Sequence, residues 1–296
     1  MQCLDVKKDM ILQEFKLFFN EALSAIYPKT EIDSFFFILM EKKLKLQRID
    51  TVLKSDFLIT EKNLIDLKNI VKRLQKEEPI QYIIGNTEFY GLPFLVDKNT
   101  LIPRTETEEL VAWVLDEIKV FTNNKITELS ILDIGTGTGC IPISLAKNLT
   151  SLNISAIDIS PEALLIARQN AILNKVTIEF IELDILNAES LPQEYDVIIS
   201  NPPYVRELEK KEIKNNVLEN EPHLALFVAD ENPLIFYNKI ADLAKKQLSE
   251  NGMLFFEINQ YLGKETINML VKKGFKNIQL KKDLFGNDRM IKCVLH

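Results

Sequence analysis

A chain of 296 residues, 46% hydrophobic and 27% charged, has the composition of a folded protein of one or two domains rather than of a disordered or fibrous one. Its 36 basic and 43 acidic residues leave a net charge of −7, which argues against a broad nucleic-acid-binding surface. Cys3, Cys140 and Cys293 are few and scattered, and the histidines are only His223 and His296, so neither a disulfide framework nor a metal site is expected.

Charged residues at Asp5, Lys7, Lys8 and Asp9 interrupt any early apolar run, so a secretory signal is not expected. No uncharged apolar run reaches 18 residues, and a cytoplasmic protein with no membrane partner is the expectation.

Residues 1–78 read as a small helical domain. Ile11, Phe15, Phe18, Phe19 and Leu23 share one face of a first helix, and Phe35, Phe36, Phe37, Leu39 and Met40 mark a second. Leu64, Leu67, Ile70, Val71 and Leu74 mark a third, with Thr60 before Glu61 as its start signal. Residues 79–103 form a linker with hairpin character, in which Gly85, Gly91 and Pro93 separate the β-prone stretches 82–84, 88–90 and 94–96. A helix then runs to about Lys119, with acids in its first turn.

The remainder of 104–296 alternates strands with helices. Strands are expected at 130–134, 154–157, 176–181, 196–200 and 253–258, with helices from about Ile141 and over 161–173, 233–248 and 261–273. Ser160 caps the second of these helices, Pro161 opens it, and Gly274 ends the last. Two closing strands, 275–281 and 290–295, flank the turn Phe285-Gly286-Asn287-Asp288 and are close enough for an antiparallel hairpin. The fold class is α/β, a mostly parallel sheet covered on both faces.

Three strand ends carry the chemistry. Gly135-Thr136-Gly137-Thr138-Gly139 follows the first strand, where glycines allow a tight turn and close approach of a ligand. Its spacing is neither the dinucleotide fingerprint nor a phosphate loop. A close approach without phosphate chemistry suits S-adenosylmethionine. Asp158 ends the second strand, where a carboxylate can accept both ribose hydroxyls, and Asp184 ends the third, where it can accept from an adenine amino group with Ile185 against the ring. Cys140 reads as a packing residue, since no base stands near it in sequence.

The fourth strand stops on Asn201-Pro202-Pro203-Tyr204. Two prolines fix φ near −65° and donate no backbone hydrogen bonds, which holds the Asn201 side chain and the Pro202 carbonyl at the strand's carboxyl end. An amide oxygen and a carbonyl can grip one –NH2 group while Tyr204 offers a flat face, an arrangement suited to methyl transfer to a planar nitrogen. The charged stretch 207–221 that follows is either a solvated loop or part of a groove for a protein substrate.

These residues resemble the class I S-adenosylmethionine-dependent methyltransferases that modify amide or amino nitrogens. Glu78-Pro79-Ile80-Gln81-Tyr82, Glu88-Phe89-Tyr90-Gly91, Leu101-Ile102-Pro103-Arg104-Thr105-Glu106-Thr107-Glu108, Glu221-Pro222 and Asp283 with Gly286-Asn287-Asp288-Arg289 are similar to the HemK/PrmC family. Thr105 and Val228-Ala229 depart from the family's usual proline and glycines. The resemblance implies a Rossmann-like seven-stranded sheet and N5-methylation of the glutamine in the Gly-Gly-Gln motif of peptide chain release factors. It also implies a helical domain that helps grip the release factor.

Carried onto this chain, the cofactor contacts are Gly135 through Gly139, Asp158, Asp184, Ile185 and Asn201. The substrate glutamine lies at Asn201, Pro202, Pro203 and Tyr204, with Phe89 and Arg104 as pocket walls. The Asn201 oxygen and the Pro202 carbonyl would accept the two amide hydrogens and aim the nitrogen at the methyl carbon, with no committed general base. Two other substrates share this chemistry: a ribosomal-protein glutamine, and an adenine or guanine amine in nucleic acid, which the net acidic charge disfavours.

Overall fold

The computed structural model describes residues 10–122, 128–149 and 152–295, which leaves Cys3 and His296 outside it. The chain divides into two compact units, Met1–Ile84 and Gly85–His296.

The first unit is helical. Helices Leu12–Leu23, Lys29–Leu39 and Glu61–Leu74 bury much of the faces read from their periodicity, with Phe15, Phe19, Phe36 and Leu67 fully enclosed. Phe18, Phe35 and Phe37 are half-buried, and Ile11 and Met40 fall just outside the first two helices. Phe19 meets Phe36 edge-on with 5.8 Å between ring centroids, the geometry favoured by the ring quadrupoles. Thr60 caps the third helix by accepting from the Asn63 backbone N–H at 3.4 Å. The stretch 82–84, expected as β-prone, is helical: Ile80–Ile84 forms one short helix. Pro79 tolerates a helix start, and its carbonyl accepts from the Ile83 N–H at 3.1 Å. Ile80 and Ile83 then share the buried side, a three-residue spacing that suits a helix.

The second unit opens with the hairpin Asn86–Phe89 and Leu92–Leu95. Its two loop residues, Tyr90 and Gly91, have φ of 52° and 71°, as a type I′ turn requires. Helix Thr105–Phe121 follows. The main sheet contains Leu129–Ile134 (β1), Leu152–Asp158 (β2), Glu179–Glu182 (β3), Tyr195–Ser200 (β4), Leu248–Glu257 (β5), Lys276–Lys282 (β6) and Asp288–Val294 (β7). Their spatial order is β6-β7-β5-β4-β1-β2-β3. β7 runs antiparallel to β5 and β6, and the remaining neighbours are parallel.

β3 begins later than the sequence pattern suggests. Lys175 takes a left-handed conformation at the end of helix Pro161–Asn174, and the Val176 N–H turns back to the Ala171 carbonyl. Closing that helix uses the residues that would have lengthened the strand. β5 begins earlier, at Leu248, and is irregular between Leu248 and Met253.

Alternation along the central strands sorts side chains to the two faces. Leu132, Ile134, Ile198, Leu254 and Phe256 pack with Tyr237, Ile240 and Leu270. Ile131, Val197, Ile199 and Phe255 pack on the other face with Leu110, Val114 and Ile143. Because both faces are covered, the central strands are apolar almost throughout. The chain leaves β1 toward β2 and β3, and leaves β4 toward β5, so the topology switches between β1 and β4. In open α/β sheets ligands bind outside the carboxyl ends of the strands at that point. No described helix is long and apolar enough to cross a membrane.

Candidate active site

The loop after β1 is shaped by its glycines. Gly135, Gly137 and Gly139 have φ of 78°, 53° and 78°, a region L side chains rarely adopt. Gly135 and Thr136 donate to the Ile157 carbonyl at 2.9 and 3.0 Å, which ties the loop to β2. Gly139 opens helix Cys140–Asn148, and a Cβ there would lie 3.1 Å from Ile143 Cδ1 and 3.3 Å from Ala167 Cβ. Gly139→Ala is therefore expected to cost about 1–3 kcal/mol through backbone strain and crowding. Urea unfolding with an unchanged m-value checks it.

Asp158 is engaged within the protein itself. Its Oδ2 accepts from the Gly137 N–H at 2.8 Å and its Oδ1 from the Ser160 N–H at 3.0 Å. Burial raises its carboxyl, and these backbone donors act in the opposite direction. Asp184 is held in a local turn, accepting from the Leu186 N–H at 2.9 Å and from Asn187 Nδ2 at 2.6 Å.

A cavity of about 420 Å³ opens at the switch point, within the size range of cofactor sites. Gly135 and Gly137, Asp158, Asp184 with Ile185, and Asn201 with Pro202 and Pro203 all face it, so residues from the ends of four strands converge. Thr136, Thr138 and Gly139 are buried in the same loop and are not part of this lining. Tyr204 and Arg104 also stand outside it, and Phe89 is buried against Phe94 in the core. Arg104 instead meets Glu221 at 2.7 Å, while Glu221 also accepts from the Ile102 N–H at 3.2 Å. The stretch 207–221 is accordingly more than a solvated loop, since Glu209 and Glu221 within it are buried.

Thr136 and Thr138 were expected to meet the cofactor, whereas Asp133, near the end of β1, is a side chain that the sequence reading missed. The Asp133 carboxylate and the Thr136 and Thr138 hydroxyls are buried with no hydrogen-bond partner. Burial pushes the Asp133 carboxyl up to about 7. A buried acid near the end of β1 and hydroxyls in the glycine loop, each next in the chain to a residue that lines the cavity, suit a site for a ligand that carries a positively charged amino group, and the S-adenosylmethionine donor fits it. The raised value means that folding favours the protonated acid, so its stabilising share is complete below about pH 4 and is lost as pH rises through 7. Asp133→Asn should therefore raise the melting temperature of the free protein at pH 8 more than at pH 5. Melting curves at the two pH values test this, and equal shifts would count against it.

Asn201 is oriented from behind. Its Nδ2 donates to Thr107 Oγ1 at 3.2 Å, and Thr107 donates to Glu257 Oε2 at 2.6 Å. The Tyr204 hydroxyl donates to Glu257 Oε1 at 3.0 Å, while Asn259 Nδ2 holds the Tyr204 carbonyl at 3.0 Å. The available signal for Glu257 was a lone acid in the apolar run Met253-Leu254-Phe255-Phe256-Glu257-Ile258, because buried acids need partners.

Comparison with known proteins agrees with this architecture. Residues 118–226 match the methyltransferase small domain, and residues 12–85 match the PrmC N-terminal domain. The chain is 55% identical over 284 residues to the release factor glutamine methyltransferase of Flavobacterium psychrophilum, covering 96% of this chain and 99% of that one. It is 42% identical to the protein of the same name from Bacteroides thetaiotaomicron, over 93% of this chain and 96% of that one. Among solved structures, the hMettl16 catalytic domain in complex with the MAT2A 3′UTR hairpin 6 aligns with a TM-score of 0.56. That alignment has 14% identity and covers 92% of this chain and 94% of that one, a likeness of fold alone. The chain belongs to the HemK/PrmC family of release factor glutamine methyltransferases.

Proposed function

We propose that the protein transfers a methyl group from S-adenosylmethionine to the side-chain amide nitrogen of a glutamine in peptide chain release factors, the glutamine of their Gly-Gly-Gln motif. The observation that carries this reading is the convergence of the glycine loop and Asn201-Pro202 on one cavity at the switch point, in a chain 55% identical to a relative of that name. The scarcity of cysteine fits a cytoplasmic place of action.

Bound S-adenosylmethionine supplies an activated methyl group on a sulfonium. Gly135 and Gly137 offer a surface without side chains, Asp158 and Asp184 offer acceptors for hydroxyl and amino groups, and Ile185 offers an apolar wall. Asn201 Oδ1 and the Pro202 carbonyl then accept the two hydrogens of the glutamine amide. An amide nitrogen is a weak nucleophile, so orientation must supply much of the acceleration, up to roughly 7–11 kcal/mol for a well-held near-attack geometry. The same two acceptors stabilise positive charge as it develops on nitrogen. No side chain is assigned as a base, and the proton leaves to water.

The test is transfer of labelled methyl to the organism's release factors and to copies with Gln→Ala in Gly-Gly-Gln. Label on the native factor and none on the alanine copy supports the reading. Label on a ribosomal protein or on nucleic acid instead would keep the chemistry and replace the substrate.

A further inference from the structure

Behind the Asn201-Pro202-Pro203-Tyr204 turn, a branched set of hydrogen bonds centres on a carboxylate that the reading above does not use. Glu257, at the end of β5, is 1% exposed. Its two oxygens reach both ends of the turn: Oε1 takes the Tyr204 hydroxyl directly, and Oε2 takes the Thr107 hydroxyl that in turn meets Asn201 Nδ2. Thr107 is itself buried, in the first turns of helix Thr105–Phe121.

Proton counting gives this arrangement a direction. A threonine hydroxyl has one proton to donate, and an ionised carboxylate only accepts. With the Thr107 proton committed to Glu257, Thr107 can only accept from Asn201, which must therefore present its Nδ2. The two ends of an asparagine amide are nearly the same size, so packing alone hardly distinguishes them. Turned over, Asn201 would set its oxygen against the Thr107 lone pairs and its –NH2 against the –NH2 of an incoming amide. Both contacts would be repulsive.

We propose that Glu257 and Thr107 are positioning residues that hold the Asn201 amide with its oxygen toward the substrate nitrogen. This inference rests on the reading that Asn201 binds the acceptor amide. The surroundings keep Glu257 supplied with donors. Burial raises its carboxyl, while the hydrogen bonds from Thr107 and Tyr204 and the charge of Arg289 act in the opposite direction, and Glu106 reinforces the burial. Arg289 is itself steadied by Asp283 at 3.0 Å and stands 3.5 Å from the Tyr204 hydroxyl. The Glu257 backbone carbonyl accepts from Tyr237 at 3.1 Å, which fixes the strand end that carries the carboxylate.

The experiment compares Thr107→Val and Thr107→Ser in the full chain, each with native Asn201 and with Asn201→Ala. It reads methyl transfer to release factor and S-adenosylmethionine affinity. Valine keeps the threonine shape and removes the hydroxyl. Thr107→Val is expected to lower kcat by about 30- to 100-fold with cofactor Kd within about twofold. That is below the roughly 10²- to 10³-fold cost of losing a transition-state hydrogen bond outright, because Asn201 keeps its oxygen and loses only its fixed orientation. Thr107→Ser restores turnover to within about threefold.

In the Asn201→Ala background the valine change should cost less than about twofold more, because residues acting through one another are non-additive. Equal fold losses in both backgrounds, or full activity in Thr107→Val, would overturn the positioning role. Thr107→Ala is measured alongside with melting curves, so a poorly folded valine variant does not decide the outcome. Native enzyme that methylates no glutamine amide, in release factor or elsewhere, would overturn the proposed function and this inference with it, whereas an active native enzyme with an unimpaired Thr107→Val overturns this inference alone.

Discussion

Asn201→Ala is expected to lower turnover by about 10²- to 10³-fold while S-adenosylmethionine affinity changes by less than about threefold. Asn201 lines the cavity at the switch point, and its Nδ2 is already engaged by Thr107. What remains for a ligand is Oδ1, one acceptor suited to one hydrogen of a planar amide. Truncation removes that acceptor and leaves the glycine loop, Asp158 and Asp184 in place. The loss should therefore fall on kcat and not on cofactor binding. Single-turnover transfer rates together with calorimetric titration of the cofactor separate the two quantities. Near-normal turnover would remove Asn201 from the mechanism.

Asp158→Asn is expected to give the opposite pattern, with cofactor affinity weakened by about 10- to 100-fold and turnover at saturation much less affected. The carboxylate has two tasks. Its oxygens accept from the Gly137 and Ser160 N–H groups, which holds the glycine loop against β2, and it faces the cavity beside them. An asparagine has one acceptor oxygen where the carboxylate has two, so one backbone donor or one ligand hydroxyl loses its partner. Hydrogen bonds to charged groups are worth about 1.5–3 kcal/mol, which converts to about 10- to 150-fold and brackets the quoted range. Direct cofactor titration measures it, and an unchanged Kd would place the ribose elsewhere. Together the two variants divide the cavity into a part that binds the donor and a part that orients the acceptor.

The elements whose chemistry is local could be read from the residues. Glycines in a strand–helix turn need positive φ, and all three in the loop have it. Ser160 caps its helix through the Ala163 N–H, and Gly274 ends its own with φ of 94°. The double proline stops β4 where expected, and the strand–helix alternation leads to the seven-stranded sheet with its antiparallel β7. Short apolar runs were less legible. Tyr82-Ile83-Ile84 is too brief to show whether its period is two or 3.6, and Pro79 tips it to a helix. Phe89 belongs to a hairpin strand whose alternation, paired with Leu92, turns its ring into the core instead of toward a pocket.

The strand ends and their glycine, acid and amide residues are thus written in short stretches of chain, because each depends on backbone freedoms that a few neighbouring residues set. The network behind the turn is of another kind. Thr107 and Glu257 are 150 residues apart, Asn201 and Thr107 94, and Tyr204 and Glu257 53. No local pattern joins them. They meet because β4 and β5 lie side by side in register and helix Thr105–Phe121 packs over that face of the sheet. A buried carboxylate is tolerated only where donors converge on it, and only the packing of those three elements brings the donors there.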